Sequence, residues 1–272
     1  MSKVKSKSIL DTNLPILIIT CSASPPERIA SAHKQLEALH TMSNIHFVNG
    51  YVSTDLIISK IFDRKRNFLW TKRPLSLVEC AVYASHRKAH NMILELGYKT
   101  ALIMEDDFKI HSQETVENVI KQGHKILESG PDMLKLFDFQ KKKKGNRPAI
   151  SKDGNGINMV KWQDATAGAV AYVISAQGAK KFLRRKKIFR QIDEDTKYFW
   201  ELGLDIWSVP GSPIRECATE LGGSLVEKDR IALHTNSILR KLWGNCLTVH
   251  RKIRAKWAMR KEVEHYLTQY KS

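Results

Sequence analysis

Three consecutive carboxylates at the end of an apolar run are the strongest chemical signal in this sequence. Glu105, Asp106 and Asp107 directly follow the run Thr100–Met104. Because neighbouring carboxylates repel one another, such a triplet is stable when a cation compensates its charge. Side chains alternate along an extended chain, so we expect Glu105 and Asp107 to point one way, as ligands of Mg²⁺ or Mn²⁺, and Asp106 the other. The alternative is a solvated acidic turn that caps the following helix.

A second group of polar residues lies inside a predicted helix. His86 and His90 are four residues apart, a spacing that places both on one helix face. Arg87 occupies the position where the zinc-protease signature HExxH requires glutamate, so that type of zinc site is excluded. Structural packing is the alternative for both histidines, and it is the favoured one for His90.

Strands and helices alternate along the chain around these residues. The runs Leu14–Thr20 and Thr100–Met104 are short, apolar and rich in β-branched residues, as expected of strands buried on both faces. Ser76 and Glu79 match the capping box that starts a helix, and Gly97 would end that helix. The other predicted strands cover 45–48, 133–137, 169–174 and 204–209, and the other predicted helices cover 26–39, 113–128 and 175–183. This alternation predicts an α/β domain with a mostly parallel central sheet, in which ligands bind outside the carboxyl ends of strands.

The composition is that of an ordinary folded protein with its positive charge at the periphery. Its 272 residues are 42% hydrophobic, which excludes a disulfide-stapled miniprotein and a chain disordered as a whole. The formal charge is +17, but the segments 1–13, 141–147, 180–190 and 237–272 together carry +21, which leaves −4 for the rest. An acidic body with basic appendages favours surface anchoring, and we expect no nucleic-acid partner.

The cysteines and the hydropathy of the chain predict a cytoplasmic protein. The four cysteines lie far apart in sequence and include no CxxC pair, so we expect reduced thiols. No apolar run approaches the roughly 18 residues that a membrane span needs. The polar stretch 1–13 lacks the apolar segment of a signal peptide.

Several segments together resemble glycosyltransferase family 25. Residues 75–107 carry the main part of the resemblance, with Ser85-His86-Arg87 inside and Glu105-Asp106-Asp107 at the end. Three further segments follow the family's order: Ile16–Thr20 with Glu27-Arg28, Thr166-Ala167-Gly168 to Ser175, and Ile192-Asp193 to Glu216. The resemblance therefore spans residues 14–217. That family includes bacterial lipooligosaccharide galactosyltransferases and collagen galactosyltransferase domains.

The resemblance implies a GT-A-like nucleotide-sugar transferase fold over residues 14–236, between a polar basic tail at 1–13 and a basic helical tail at 237–272. It implies transfer of a hexose, most often galactose from UDP-galactose, onto a lipooligosaccharide acceptor with inversion of the anomeric carbon. Mn²⁺ or Mg²⁺ at Glu105 and Asp107 would stabilise the charge that develops on the departing UDP. The first acid is glutamate where a DxD triplet has aspartate, so the sequence leaves strict metal dependence open.

The resemblance also implies a set of residues that contact the UDP-sugar. Plain structural roles are the alternative for each of them, and they are Arg28, His86, Arg87, Asp106 and Gly168. Arg87 would bind phosphate. The missing side chain at Gly168 would let the backbone approach a ligand, or would let two strands pack tightly.

Inversion requires a base that takes the proton of the acceptor hydroxyl. Asp193 and Asp195 are the candidate catalytic residues, and Asp193 matches the family's recurrent aspartate. Their spacing also fits additional metal or acceptor-hydroxyl ligands. A further alternative is that both acids stabilise a helix N-terminus through its dipole.

The carboxyl-terminal segment predicts a helix at a membrane surface. Trp243, Cys246, His250, Ile253 and Trp257 recur at intervals of three or four residues among many lysines and arginines. A basic amphipathic helix with tryptophans suits an anionic membrane surface, where a lipid-linked oligosaccharide acceptor would be presented. We expect peripheral association with the inner membrane. The alternative is a final helix that packs its tryptophans against the body.

Two other classes of function compete with a glycosyltransferase. A basic nucleic-acid-binding protein would account for the total charge, and a metal-dependent phosphoryl or nucleotidyl transferase would account for Glu105 and Asp107. The acidic body argues against the first class. The absence of a GxxxxGK[ST] loop from the sequence weighs against the second.

Overall fold

The computed structural model describes residues 13–40, 43–128, 130–139, 147–224, 226, 230 and 237–269. The predicted basic segments 1–13 and 141–147 lie outside these ranges except for Asn13 and Arg147. The predicted domain boundary at 236 also lies outside them.

The strands and helices predicted from the sequence are confirmed, and several short elements are added to them. In chain order the strands are β1 (Ile16–Thr20), β2 (Ile45–Asn49), β3 (Thr100–Glu105), β4 (Phe108–Ile110), β5 (Met133–Lys135), β6 (Pro148–Asp153), β7 (Asn158–Trp162), β8 (Ala171–Ser175), β9 (Ile206–Ser208) and β10 (Ile214–Glu216). The helices are α1 (Pro26–Glu37), α2 (Leu56–Ile61), α3 (Arg64–Trp70), α4 (Leu77–Glu95), α5 (Gln113–Glu128), α6 (Ala176–Leu183), α7 (Ile192–Lys197), α8 (Phe199–Leu202) and α9 (Ile238–Gln269).

A central sheet of eight strands has the order β2-β1-β3-β8-β5-β9-β7-β6. β1 pairs in parallel with β2 and β3, and β5 pairs in parallel with β9. The other four pairings in the sheet are antiparallel. The prediction of a mostly parallel sheet therefore holds in part, for β2-β1-β3 and for the β5-β9 pair. The sheet as a whole is mixed, because β8 runs against both of its neighbours.

Apolar side chains of the central strands alternate between two cores, one on each face of the sheet. On β1, Ile16 and Ile18 pack in the core that contains α1 and α5, whereas Leu17 and Ile19 pack in the core that contains α4 and α6. β3 divides its side chains in the same way. Burial on both faces explains why these strands are unbroken apolar runs in the sequence.

Helix α4 begins at the predicted capping box. The Ser76 hydroxyl accepts a hydrogen bond from the Glu79 N–H, and the Glu79 carboxylate accepts one from the Ser76 N–H, both at 3.0 Å. After the helix, Gly97 adopts φ +69°, a left-handed conformation that glycine enters without steric cost. These two ends fix α4 beneath the sheet, with His86 facing the carboxyl end of β3.

Helix α9 packs one face against the body and exposes the other. Ala255 is buried, and Glu262 forms an ion pair with the buried Lys161. Trp243 and Trp257 lie on the opposite face and are 48% and 68% exposed. Packing of the tryptophans against the body, one of the alternatives from the sequence, is therefore seen in part, because Trp243 donates a hydrogen bond to the Leu69 carbonyl whereas Trp257 is largely exposed. Within the described ranges, no helix combines the length and the apolar composition needed to cross a membrane.

Candidate active site

The carboxyl ends of β1, β2 and β3 form one edge of the sheet. The chain passes from β1 to β2 on one side and then returns to β3 on the other side of β1. Such a switch point is where open α/β sheets bind ligands. Ile19 of β1 lies opposite Glu105 of β3, so the acidic triplet begins at the switch point.

Asp106 and Asp107 share one arginine. Nη1 of Arg28 lies 3.0 Å from Oδ1 of Asp106 and 3.1 Å from Oδ2 of Asp107. β3 ends at Glu105, and the next two residues form a turn, so the alternation of an extended strand does not continue through the triplet. The prediction that Asp106 points away from Asp107 is therefore wrong.

Arg28 also ties the triplet to a loop on the far side of the site. Its Nε donates to the Leu221 carbonyl at 3.3 Å, and its Nη2 donates to the Gly223 carbonyl at 2.7 Å. The side chain is buried in the first turn of α1. This geometry makes Arg28 a positioning residue for Asp106 and Asp107, and contact between Arg28 and a nucleotide stays a prediction.

Two buried carboxylate oxygens of the triplet have no hydrogen-bond partner among the described residues. They are Oδ2 of Asp106 and Oδ1 of Asp107. One guanidinium faces two carboxylates here, and Glu105 adds a third negative charge beside them. Burial, followed by the charge of Glu105, raises the pKa of Asp107 to about 7. A divalent cation would relieve this excess of negative charge.

The donor set fits a divalent cation that also binds a substrate. Carboxylate oxygens are the ligands that Mg²⁺ and Mn²⁺ prefer. In the part of the chain that the structure describes, no group of three His, Cys, Asp or Glu side chains is arranged to chelate a metal. Mg²⁺ commonly uses one or two carboxylates and completes its shell with substrate phosphates and water. Metal binding by Glu105 and Asp107 stays a prediction, and the two partnerless oxygens agree with this mode.

Glu105 ends a buried chain of hydrogen bonds. Its Oε1 lies 3.1 Å from Nε2 of His86, whose Nδ1 lies 2.9 Å from the Tyr172 hydroxyl, which in turn lies 2.9 Å from Nε2 of His90. An ionised carboxylate only accepts, so His86 donates from Nε2 and accepts the Tyr172 proton at Nδ1, while His90 donates to Tyr172. Burial lowers the pKa of His90 well below its usual value, which keeps its ring neutral.

His86 therefore orients Glu105 from beneath the site. Its side chain is fully buried between α4 and the sheet. The structural role that the sequence favours for His90 is confirmed by its place at the start of the hydrogen-bonded chain. Direct contact between His86 and a nucleotide stays a prediction.

Arg87 and Gly168 lie in packing positions. Arg87 follows His86 on α4 and projects about 100° away from it, and its Nη1 donates to the Lys186 carbonyl at 3.2 Å. Gly168 has φ +126°, and a Cβ atom there would lie 2.8 Å from the carbonyl oxygen of Phe137. The close approach of two backbone segments thus requires glycine at 168. Nucleotide contacts by Arg87 and Gly168 stay predictions.

Asp193 and Asp195 project from opposite sides of α7, because two helical positions differ by about 200°. Asp195 is fully buried and forms ion pairs with Arg185 at 2.6 Å and Arg190 at 3.1 Å. It also accepts a hydrogen bond from the Tyr83 hydroxyl at 2.6 Å. This network anchors α7 to α4, and the geometry gives Asp195 an anchoring role instead of a catalytic one.

Asp193 lies within electrostatic reach of Glu105. Burial raises the pKa of Asp193 to about 6, with contributions from the negative charges of Glu194 and Glu105. At neutral pH the side chain is therefore ionised and able to accept a proton. The structure brings this candidate base into electrostatic reach of the acidic triplet.

Glu216 joins this group, although it is not among the site residues predicted from the sequence. β10 pairs antiparallel with β4, which places Glu216 opposite Phe108 and next to the triplet. Partial removal from water, followed by the negative charge of Glu105, raises the pKa of Glu216. No local motif marks this residue, and the signal that could have found it is its place at the end of the last segment of the family resemblance.

Comparisons with known proteins found a matching family and a similar protein. The family described as Glycosyltransferase family 25 (LPS biosynthesis protein) matches residues 14–196. The chain is also similar to procollagen galactosyltransferase 1 of Danio rerio, with 26% identity over 125 residues, which are 45% of this chain and 20% of that protein. This match thus spans a fifth of the relative's length. Because the family match covers well over half of the 272 residues, the chain belongs to glycosyltransferase family 25.

Proposed function

We propose that this protein transfers galactose from UDP-galactose to a lipooligosaccharide acceptor, with inversion at the anomeric carbon. The observation that carries the proposal is the acidic triplet at the switch point, where two buried carboxylate oxygens lack partners among the described residues. Family membership supports sugar transfer and the class of acceptor. The name of the Danio rerio relative supports galactose as the transferred sugar.

The crevice at the ends of β1 and β3 takes the nucleotide diphosphate in this proposal. Glu105 and Asp107 would hold Mn²⁺ or Mg²⁺, and such an ion would neutralise charge on the departing diphosphate. Arg28 holds Asp106 and Asp107 together, and His86 donates to Glu105. These buried contacts orient the acidic side chains before any substrate arrives, which lowers the cost of organising the site.

Asp193 is the general base of the proposed transfer. Its carboxylate accepts the proton of the acceptor hydroxyl while that oxygen bonds to the anomeric carbon. The bond between this carbon and the UDP oxygen breaks, and its electron pair leaves with UDP. Attack on the face opposite UDP inverts the configuration. A pKa of about 6 suits the task, because a base works best when its pKa lies near the operating pH.

The outer face of α9 places the enzyme at an anionic membrane in this proposal. Exposed apolar side chains recur along that face at helical spacing, and we call them the α9 stripe: Leu239, Leu242, Trp243, Val249, Ile253 and Trp257. Exposed basic residues flank the stripe: Lys252, Arg254, Lys256 and Lys261. An apolar stripe between cations lies in the interface plane of a bilayer that contains anionic lipids.

Helix α3 extends the α9 stripe. Phe68, Leu69 and Trp70 are all exposed. Nε1 of Trp243 donates to the Leu69 carbonyl at 2.8 Å, and Nη1 of Arg240 donates to the Phe68 carbonyl at 2.5 Å. The two helices thus present one apolar surface. Docking of this surface on the cytoplasmic face of the inner membrane would bring the site to a lipid-linked oligosaccharide acceptor.

A panel of nucleotide sugars tests the proposed function. The purified protein is incubated with Mn²⁺, a lipooligosaccharide that lacks its terminal galactose, and radiolabelled UDP-galactose, UDP-glucose or UDP-N-acetylglucosamine. We expect transfer from UDP-galactose to exceed transfer from the other donors by about tenfold or more. Preferred transfer from another donor would overturn the choice of galactose. Absence of transfer from every donor would contradict the proposed function.

A further inference from the structure

A basic cleft adjoins the candidate active site. It has a volume of about 860 Å³ and lies between the end of α3, helix α7 and the first half of α9. Glu194 and Lys197 of α7 line it, together with Gln191, which precedes that helix. Asp193 lies on the same short helix and acts electrostatically on Arg73, which lines the cleft as well. The candidate base is thus within electrostatic reach of both the acidic triplet and this cleft.

The cleft holds more positive charge than its carboxylates neutralise. Among the residues that the structure describes, its lining contains eight lysine and arginine side chains and one carboxylate, Glu194. Four of the cations have carboxylate partners, and these are Arg73, Arg190, Lys197 and Arg230. The other four form no ion pair with any residue that the structure describes, and these are Lys72, Arg240, Lys241 and Arg251. Four uncompensated cations around one cavity favour an anionic ligand.

The wall formed by α9 is rich in hydrogen-bond donors. Lys241, Asn245, Thr248 and Arg251 follow one another at intervals of four, three and three residues, which places them on one helix face toward the cleft. Nη2 of Arg240 is buried without a hydrogen-bond partner among the described residues.

The stem of Lys72 lies against this wall at Gly244. A Cβ atom at Gly244 would lie 2.7 Å from Cγ of Lys72, so the glycine lets the lysine stem lie on α9. The wall therefore presents cations together with neutral donors, a combination that suits a sugar bearing acidic groups.

The shape of the cleft distinguishes it from the α9 stripe. A cavity of this volume suits a small ligand, whereas the α9 stripe lies on the outer face of the helix. We propose that the cleft binds the acceptor, and that the acceptor is a saccharide with phosphate or carboxylate groups near the hydroxyl that receives the sugar. This inference rests on the proposed function, because it takes Asp193 as the base between donor and acceptor.

Two double variants with the same loss of charge test the inference. Lys72→Gln/Lys241→Gln removes two unpaired cations from the cleft. Lys252→Gln/Lys256→Gln removes two exposed cations from the outer side of α9 and is the matched control. Four probes are titrated against each protein: trehalose 6-phosphate, trehalose, UDP with Mn²⁺, and phosphatidylglycerol vesicles. Dissociation constants for the three soluble probes are measured by nuclear magnetic resonance, and vesicle binding by co-sedimentation.

We expect the unmodified protein to bind trehalose 6-phosphate about tenfold more tightly than trehalose, as a charge-assisted contact predicts. The cleft variant loses most of this preference, whereas the control variant keeps it. The affinity for UDP with Mn²⁺ changes less than twofold in both variants.

Equal affinity of the unmodified protein for both sugars, or an unchanged preference in the cleft variant, would overturn the inference. A loss of UDP affinity in the cleft variant would assign the cleft to the donor instead. A loss of vesicle binding with intact binding of trehalose 6-phosphate would assign these cations to lipid headgroups. Failure of every protein to bind UDP, with the preference for trehalose 6-phosphate intact, would contradict the proposed function and leave the cleft as an anionic-saccharide site.

Discussion

Asp193 and Asp195 are two residues apart, yet their surroundings give them different tasks. Asp195 is enclosed by Arg185 and Arg190, which leaves it no access to a substrate. Asp193 lies within electrostatic reach of Glu105 instead, and burial raises its pKa to about 6. Environment rather than residue type separates the two carboxylates.

Replacement of the candidate base is the first prediction at this scale. Asp193→Asn should lower kcat by about 10²–10⁴-fold, because the acceptor proton then has no acceptor. The affinity for UDP should stay within twofold of that of the unmodified protein. In the unmodified protein, activity should fall as the pH drops through about 6, because Asp193 becomes protonated there. Steady-state kinetics over pH 5 to 8 measure both effects.

Glu194→Gln is the control for this prediction. Glu194 raises the pKa of Asp193, so its neutralisation should move the acid limb of the pH profile to lower pH while activity at pH 7.5 persists. Near-normal kcat in Asp193→Asn would assign the base to another residue.

The hydrogen-bonded chain below Glu105 gives the second prediction. Tyr172→Phe removes the hydroxyl that joins His86 to His90 and leaves two buried ring nitrogens unpaired. We expect the free energy of unfolding to fall by about 1–3 kcal/mol. Mn²⁺-dependent UDP binding should also weaken, because His86 no longer holds Glu105. Urea denaturation and titration with UDP measure the two effects.

Tyr98→Phe is a matched control, since it breaks a similar tyrosine–histidine bond, at 2.8 Å to His46, away from the triplet. This variant should lose stability and keep its UDP affinity. Equal UDP affinities in the Tyr98 and Tyr172 variants would show that the chain below Glu105 is structural only.

Some contacts of single residues could be predicted from the sequence, and others could not. The triplet was recognisable because three acids directly follow a buried strand. The shared contact of Asp106 and Asp107 with Arg28 was not, because the strand ends at Glu105 and no local pattern marks that end. Glu216 reaches the site through a pairing between distant strands, which residue spacing does not reveal.

The elements of the fold were predictable where periodicity and caps agree. β1, β3, α4 and α5 bury continuous or periodic apolar surface, which leaves a clear pattern in the sequence. Helices α2 and α3 show no clear pattern in the sequence, because many of their apolar residues, such as Leu56 and Phe68, are exposed and therefore follow no core-facing period. Exposed apolar residues in such short helices lack the periodicity that core packing imposes on the sequence.

A backbone contact between elements gives the third prediction. Gly168→Ala should lower the free energy of unfolding by roughly 2–4 kcal/mol, because the new methyl group meets the Phe137 carbonyl and φ is +126°. Gly203→Ala is the control: it has φ +64° with open space around it, and should cost about 1 kcal/mol. Urea denaturation measures both. Equal costs would show that the close approach to Phe137 does not restrict residue 168.

Some of the basic residues form ion pairs within the fold, and others are unpaired at the surface. In the basic segment 180–190, Lys181, Arg185 and Arg190 form ion pairs with described carboxylates, so part of this charge holds the fold together. The unpaired cations of the cleft line that cavity, and the basic flanks of the α9 stripe are exposed. The total of +17 therefore does not describe one binding face.

Membrane binding is the prediction at the scale of the molecule. Trp257→Ser should weaken binding to vesicles that contain phosphatidylglycerol by about tenfold, because burial of a large apolar side chain stabilises binding by roughly 1.5–3 kcal/mol. Binding should also fall with rising salt and with the removal of anionic lipid. Leu96→Ser, at another exposed apolar residue, should bind vesicles normally. Equal binding by both variants in a co-sedimentation assay would exclude the α9 stripe as the docking surface.

Asp107 gives the sharpest test of the central claim. Its ionised carboxylate is proposed to bind the metal, yet the same charge lowers the free energy of unfolding. The pKa of Asp107 in the fold is about 7, well above the usual 3.8, so its ionisation favours the unfolded chain. This residue therefore reduces stability as the pH rises from about 4 through 7. Asp107→Asn should raise the free energy of unfolding at pH 8 by roughly 1–2 kcal/mol.

The most direct measurement is thermal unfolding at pH 8 of the unmodified protein and Asp107→Asn, each alone and with UDP plus Mn²⁺. A ligand that binds only the folded state raises the melting temperature. We expect UDP with Mn²⁺ to raise the melting temperature of the unmodified protein, and we expect the variant to be more stable alone yet unresponsive to the ligand. An equal rise in both proteins, or no rise in either, would contradict the assignment of the acidic triplet as the nucleotide-sugar site.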